Sequence, residues 1–275
     1  MHRSDRRAAL ATSLSTHRIR TRLVAQRIVA STGLAPPTLV VEVGAGEGTL
    51  TAELAARGLR VVAIERDRQA WCALRDRFAD VPGVVPILAD FLAYPLPAKA
   101  RYAVFGNAPF SITSPILRRL LSAANEPESI FLVVQREAAF RWGGFEKESL
   151  LSLTTRLRYH VEVRLALRRR DFEPVPAADC VLLAMTRRTR PILAGVERRG
   201  FLELVSTALR GRHRTVSHAL DGILGRLILA AAANRVGFDL ARAPSEPKFE
   251  DWVDLCRAVY STPGHKTTRW LLHET

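Results

Sequence analysis

Lysine is nearly absent from this chain. Of its 41 basic residues, only Lys99, Lys147, Lys248 and Lys266 are not arginine. Cysteine is almost as scarce. Cys72, Cys180 and Cys256 are odd in number and far apart in a 275-residue chain. That spacing excludes a disulfide framework and a zinc-type ligand set, and fits reduced thiols in the cytoplasm. No apolar run approaches the ~18 residues of a membrane span. The arginine-rich N-terminus has no apolar stretch behind it, so no secretory signal is expected. The seven histidines lack metal-ligand spacing, and no metal is expected.

Negative charge is also in deficit. Twenty-seven acids face the 41 bases, for a net charge of +14. GC-rich codon usage favours arginine over lysine but does not create an excess of cations over anions. A field of that sign suits phosphate backbones, and arginine forks pair with phosphate oxygens in a bidentate way. The charge is clustered. Arg3, Arg6, Arg7, Arg18, Arg20, Arg22 and Arg27 form a basic N-terminal arm over residues 1–30. Arg164, Arg168, Arg169 and Arg170 make a second group. Arg187, Arg188, Arg190, Arg198, Arg199, Arg210, Arg212 and Arg214 make a third. No basic amphipathic helix points to a membrane surface, and a monomer is expected.

A hydrophobic content of 48% is ordinary for a globular protein. Helical spacing of apolar residues runs from about Arg18 to Ser31, stopped by Gly33 and Pro36-Pro37. Strands are expected at 39–43, 59–65, 84–88, 102–106 and 129–134. Helices are expected at 49–57, 68–78 and 114–122. This alternation argues for a parallel, doubly wound α/β sheet. Strand-like runs near 157–167 and 180–186, joined without helices, suggest an antiparallel addition at one edge. Beyond Pro191 only helices are expected, near 201–209, 215–224, 227–233 and 249–260. The chain is therefore divided into a catalytic α/β domain, 1–190, and a small all-helical RNA-binding domain, 191–275.

The run Val40-Val41-Glu42-Val43-Gly44-Ala45-Gly46-Glu47-Gly48-Thr49-Leu50 is the densest signal. A β-branched strand enters three glycines, where the backbone can turn sharply and a ligand can approach the main chain. Glu65 closes the next strand, where an acid can accept both hydroxyls of a ribose. The third glycine falls one residue early for a dinucleotide fingerprint. Acids at 42 and 47 disfavour a pyrophosphate, which seeks free helix N–H groups. They suit S-adenosylmethionine, with its sulfonium and ammonium.

Ligands in open α/β sheets bind beyond the carboxyl ends of the strands. Four marked positions fall there: Gly44–Gly48, Glu65 with Arg66, Asp90-Phe91, and Asn107-Ala108-Pro109-Phe110. Singly, each has a plainer reading. Asp90 suits a helix cap, Glu65 a solvated loop, Phe110 the core. Together they outline one nucleoside site. The tetrad at 107–110 suits transfer to an exocyclic amine. Such a nitrogen is a poor nucleophile because its lone pair is delocalised into the ring. Two acceptors facing its N–H bonds, the Asn107 side-chain oxygen and the Ala108 carbonyl, would favour a pyramidal nitrogen. Pro109 stiffens the turn and Phe110 can stack on the base, which must leave its own stack to arrive.

At this point the chain resembles the rRNA adenine N6-methyltransferases, in particular the Erm type that confers macrolide-lincosamide-streptogramin resistance. The likeness runs over nearly the whole chain. It includes Glu42–Thr51, Ala89-Asp90-Phe91, Phe105–Thr113, Val134–Ala139, Asp171–Asp179 and Pro244–Trp252. It implies a Rossmann-like, class I methyltransferase fold and S-adenosylmethionine as donor, with S-adenosylhomocysteine as product. It further implies that Gly44, Ala45, Gly46 and Gly48 hold the methionine part of the cofactor, Glu65 its ribose, and Asp90 and Phe91 its adenine. Asn107 and Phe110 would address the target adenine, in 23S rRNA for the Erm type. The same superfamily contains the small-subunit dimethyladenosine enzymes and catalytically silent nucleic-acid-binding relatives. The family's Leu-Ser-Gln-Asn-Phe-Leu, which closes over cofactor and target, reads Leu14-Ser15-Thr16-His17-Arg18-Ile19 here. His17 and Ile19 are expected to keep part of that role, and Ala108 stands where Leu or Ile is usual.

Overall fold

A computed structural model describes residues 17–211 and 213–262. The chain forms two compact units. Of the described residues, one takes those up to Ala139 together with Val161–Arg187, and the other takes Phe140–His160 and those from Arg188 on.

The first unit is an α/β layer built on a seven-stranded sheet. Strands β2 (Leu39–Val43), β3 (Arg60–Glu65), β4 (Val84–Leu88), β5 (Tyr102–Gly106), β6 (Ser129–Gln135), β7 (Tyr159–Leu167) and β9 (Cys180–Arg187) lie in the order β4-β3-β2-β5-β6-β9-β7. The strands from β4 to β6 are parallel, and β9 runs antiparallel to β6. Strand β5 is buried along its whole length and β6 everywhere but its ends. Such near-continuous apolar strands are what a parallel sheet covered on both faces requires. Helices α1 (Arg22–Thr32), α2 (Thr49–Ala56), α3 (Arg68–Arg77) and α4 (Phe110–Leu121) connect or flank them. Val40, Val61, Phe105, Phe131 and Leu182 belong to one continuous core.

Two expected helix starts are displaced. The helix expected from Arg18 begins at Arg22, because Thr21 caps it, its Oγ1 accepting from Val24 N at 3.3 Å. Residues ahead of the cap form a short strand β1 (Arg18–Ile19) paired antiparallel with β8 (Phe172–Glu173). The helix expected from Ser114 starts a turn earlier at Phe110, with Pro115 inside it.

The second unit is helical, with α7 (Gly195–Arg210), α8 (Val216–Leu224), α9 (Arg226–Val236) and α10 (Phe249–Tyr260). The single boundary near residue 190 did not anticipate residues 140–160, which cluster with these helices. The reason is a helix that periodicity missed, α6 (Leu150–Arg158), whose Leu153 and Leu157 are buried in the core with Phe201, Leu204, Leu220 and Trp252. It follows another unexpected helix, α5 (Arg136–Gly143). Glu148 fixes the segment in place. Its carboxylate, fully shielded from solvent, is met by Arg156 Nη1 at 2.7 Å, Ser152 Oγ at 2.6 Å and Phe249 N at 3.0 Å.

Candidate active site

The parallel register sets the site. Val43 lies opposite Ile64 and Gly106, and Glu65 opposite Leu88, so the four strands end on one line. Immediately beyond that line lie the glycine loop, Glu65, Asp90 and Asn107. They border a cavity of about 510 Å³.

The glycine loop folds over the end of β3. Gly44 N and Ala45 N both donate to Ile64 O, at 2.9 and 3.1 Å, and Gly46 N donates to Glu65 Oε2 at 2.9 Å. Gly48 has φ +84°, and a Cβ there would fall 2.4 Å from the Phe78 ring and 2.7 Å from Leu74 Cδ1. Only glycine satisfies both conditions. Gly48 thus starts helix α2 and packs inward, and it is not among the residues bordering the cavity.

Glu65 is 8% exposed. Its Oε1 accepts from Asp67 N at 2.8 Å, as Oε2 does from Gly46 N. Two backbone donors fix the carboxylate plane, and a carboxylate still has acceptor capacity left for a diol. Asp90 is exposed beside buried Phe91, with Oδ1 accepting from Leu92 N at 2.8 Å. Both border the cavity, as do Arg66, Ala45, Ala108 and Pro109.

Asn107 Nδ2 donates to the His17 carbonyl at 2.9 Å. A carbonyl can only accept, so the amide orientation is forced, and the Asn107 oxygen is left as the acceptor. Buried Ala108 lies under the glycine loop, its Cα 3.7 Å from where a Gly44 Cβ would stand. Pro109 precedes α4 in an extended conformation. Phe110 opens that helix, but its side chain lies outside what the structure describes.

Glu42 behaves differently from the sequence expectation of an anion at the cofactor. It is 1% exposed, does not border the cavity, and accepts from Thr51 Oγ1 at 2.6 Å. Burial, reinforced by the nearby Glu65 charge and opposed by Thr51, pushes its carboxyl up to about 8. At neutral pH it is mostly protonated and supplies little charge. The cavity's acids are Glu47, Glu65, Asp67 and Asp90, against the cations Arg18 and Arg66. An acid-rich wall in a chain of net charge +14 fits a ligand with a cationic end, and Glu65 fits its ribose.

His17 and Ile19 border the cavity from the N-terminal side. Leu14, Ser15 and Thr16 lie outside the described residues, as do Arg3, Arg6, Arg7 and Arg212. Glu47, which the sequence reading set beside the cofactor with Glu42, does border the cavity, and Arg18, Asp67 and Gln69, to which it assigned no cavity role, border it too. Adjacency to a strand end was the available signal for Asp67 and Gln69.

The arginine clusters divide by environment. Arg168, Arg169 and Arg170 are exposed. Arg187 pairs with Glu128 at 3.6 Å, and Arg188, half-buried, donates from Nε to Arg156 O at 2.9 Å. These two are engaged by the protein itself, as is Arg169, whose Nε donates to Pro176 O at 2.8 Å. No helix among the described residues is long and apolar enough to cross a membrane.

The profile of the family described as ribosomal RNA adenine dimethylase matches residues 8–256. Ribosomal RNA small subunit methyltransferase A of Synechococcus sp. (strain JA-3-3Ab) is 34% identical over 250 residues, covering 87% of this chain and 89% of that protein. The rRNA adenine N-6-methyltransferase of Streptomyces fradiae is 35% identical over 227 residues, covering 82% and 67%. The crystal structure of 23S rRNA methyltransferase ErmE superposes with a TM-score of 0.81 at 29% identity, covering 88% of this chain and 99% of that one. With its α/β sheet, glycine loop and Asn107 tetrad in place, the chain belongs to the ribosomal RNA adenine dimethylase family of S-adenosylmethionine-dependent adenine N6-methyltransferases.

Proposed function

We propose that the protein methylates N6 of an adenine in 23S rRNA and so confers macrolide-lincosamide-streptogramin resistance. The observation that carries the choice of subunit is the likeness to 23S rRNA methyltransferase ErmE, at a TM-score of 0.81 over nearly all of that chain.

Bound S-adenosylmethionine supplies an electrophilic methyl on sulfur. The residues around it bind and orient. Glu65, its oxygens aligned by Gly46 N and Asp67 N, accepts from the ribose hydroxyls. Asp90 accepts from the cofactor's adenine amine and Phe91 walls the ring. Gly44, Ala45 and Gly46 admit the methionine end beside their main chain. Asn107, held by the His17 carbonyl, turns its oxygen to one N6–H of the target adenine, and the Ala108 carbonyl takes the other. The N6 lone pair then localises along the line of attack. No strong base is needed, because the amine loses its proton readily once it is alkylated and cationic. Catalysis is alignment and electrostatics.

A second reading has its own support. The likeness to small subunit methyltransferase A covers 89% of that relative at 34% identity, which favours an adenine in small-subunit rRNA. Primer extension with mass spectrometry on both rRNAs, from cells with and without the protein, decides between them. Methylated adenine in 23S rRNA is the expected result. A mark in small-subunit rRNA alone establishes the second reading, and no mark in either rRNA overturns both.

A further inference from the structure

The cavity's N-terminal wall is a strap, residues 17–20, tied on two sides. Away from the cavity it pairs as β1 with β8, His17 Nδ1 donates to Pro174 O at 2.7 Å, and Arg20 N donates to Asp171 O at 2.9 Å. Toward the cavity, the His17 carbonyl holds Asn107, and Arg18 Nη1 meets Glu47 Oε1 at 2.8 Å. Glu47 belongs to the glycine loop, and its own carbonyl accepts from Arg77 Nη1 at 2.9 Å. The two partners are 70% and 56% exposed, yet both border the cavity. Groups that border a cavity and face solvent stand at its rim.

We propose that Arg18 is a positioning residue that retains the cofactor: its ion pair with Glu47 clasps the strap to the glycine loop across the rim of the cavity. The pair joins the segment that orients Asn107 to the loop that receives the methionine end. Opening it leaves the strap anchored at residues 171–174 but detached from the loop, so one wall can move away from the ligand. The energy at stake is that of an exposed ion pair, which changes a rate about two- to fivefold. Such a pair is screened once the Debye length falls to ~3 Å near 1 M salt.

The inference rests on the cofactor assignment but not on the choice of rRNA. The test uses the full chain without RNA. Tritiated S-adenosylhomocysteine is bound, then chased with unlabelled ligand, and affinity is measured in parallel by titration calorimetry. At low salt, Arg18→Glu should release the label at least twofold faster, and Glu47→Gln should do the same. Arg18→Lys should stay near the wild-type rate. The exchanged pair, Arg18→Glu with Glu47→Arg, should recover most of the loss. Near 1 M salt the differences should vanish. A purely structural role would give losses that ignore salt and are not rescued by the exchange, and that result overturns the clasp. So do unchanged release rates in both single variants. Absence of any uptake by the wild-type protein overturns the cofactor assignment and the clasp together.

Discussion

Glu42 offers a quantitative test of the site's foundation. It sits in the middle of the sheet, opposite Ala63 on one side and Phe105 on the other. Its carboxyl titrates near 4.5 when solvated and about 8 when buried here. Between those values the folded protein holds a proton that the unfolded chain has released. The protein is therefore less stable at higher pH across this window. Neutral pH lies two and a half pH units above 4.5. At about 1.36 kcal/mol per unit, protonating Glu42 costs about 3 kcal/mol at pH 7. The cost is under about 1 kcal/mol at pH 5 and levels off near 5 kcal/mol above pH 8. Glu42→Gln keeps the shape and keeps an oxygen for the Thr51 hydroxyl, but carries no proton to titrate. Urea denaturation of both proteins at pH 5, 6, 7 and 8 gives the difference directly. The variant should gain on the wild type by about 1 kcal/mol for each pH unit through this range. Any constant effect of the new amide shifts the difference without changing that slope. Parallel stability curves would mean that Glu42 stays ionised in the folded state, and the picture of a neutral carboxyl under the glycine loop would fall.

Other outcomes follow from the same geometry. Asn107→Ala removes an acceptor that aligns the attacking amine, so methyl transfer should fall by a hundredfold or more while RNA affinity in filter binding stays near wild type; retained activity would take Asn107 out of the mechanism. Affinity for rRNA should fall steeply with salt, because arginine–phosphate contacts release counterions, and a flat dependence would refute arginine-based binding. In the second unit, Arg156→Leu leaves the Glu148 carboxylate shielded and without its guanidinium, which should cost about 3 kcal/mol in denaturation experiments. Burial already raises the Glu148 pKa, so acidification should shrink that loss as the carboxyl protonates.

The central sheet was legible because each strand is a short apolar run closed by a turn signal. Strands at 39–43, 84–88 and 102–106 occur as read, since β-branched residues in a doubly covered sheet leave periodicity little to confuse. Helices α5 and α6 were missed for the opposite reason. Leu150–Arg158 carries serine and threonine at half-buried and buried positions, Ser152 and Thr155 among them. No apolar stripe stands out. The Ser152 hydroxyl is satisfied locally by Ser149 and Glu148, and that of Thr154 by main-chain carbonyls, while Thr155 Oγ1 is buried without a hydrogen-bond partner among the described residues. That pairing of polar side chains is tertiary information.

The site divides along the same line. Residues at strand ends could be read because topology alone delivers them: Gly44, Glu65, Asp90 and Asn107 are far apart in sequence and adjacent once the strands are parallel and in register. What sequence could not assign is charge state and partnership. Glu42 and Glu47 look alike on paper, two acids flanking glycines. One is shut into the sheet, protonated, and bonded to Thr51. The other stands at the rim, paired with an arginine from a segment 29 residues away. The difference is desolvation, which depends on what packs over each carboxylate. The same holds for Asn107, whose amide is oriented by a main-chain carbonyl 90 residues distant. A motif can supply the atoms of a transfer site, but the direction in which Asn107 presents its oxygen is set by the strap. In the proposed mechanism, methyl transfer therefore depends on residues 17–20 being in place as well as on the tetrad itself.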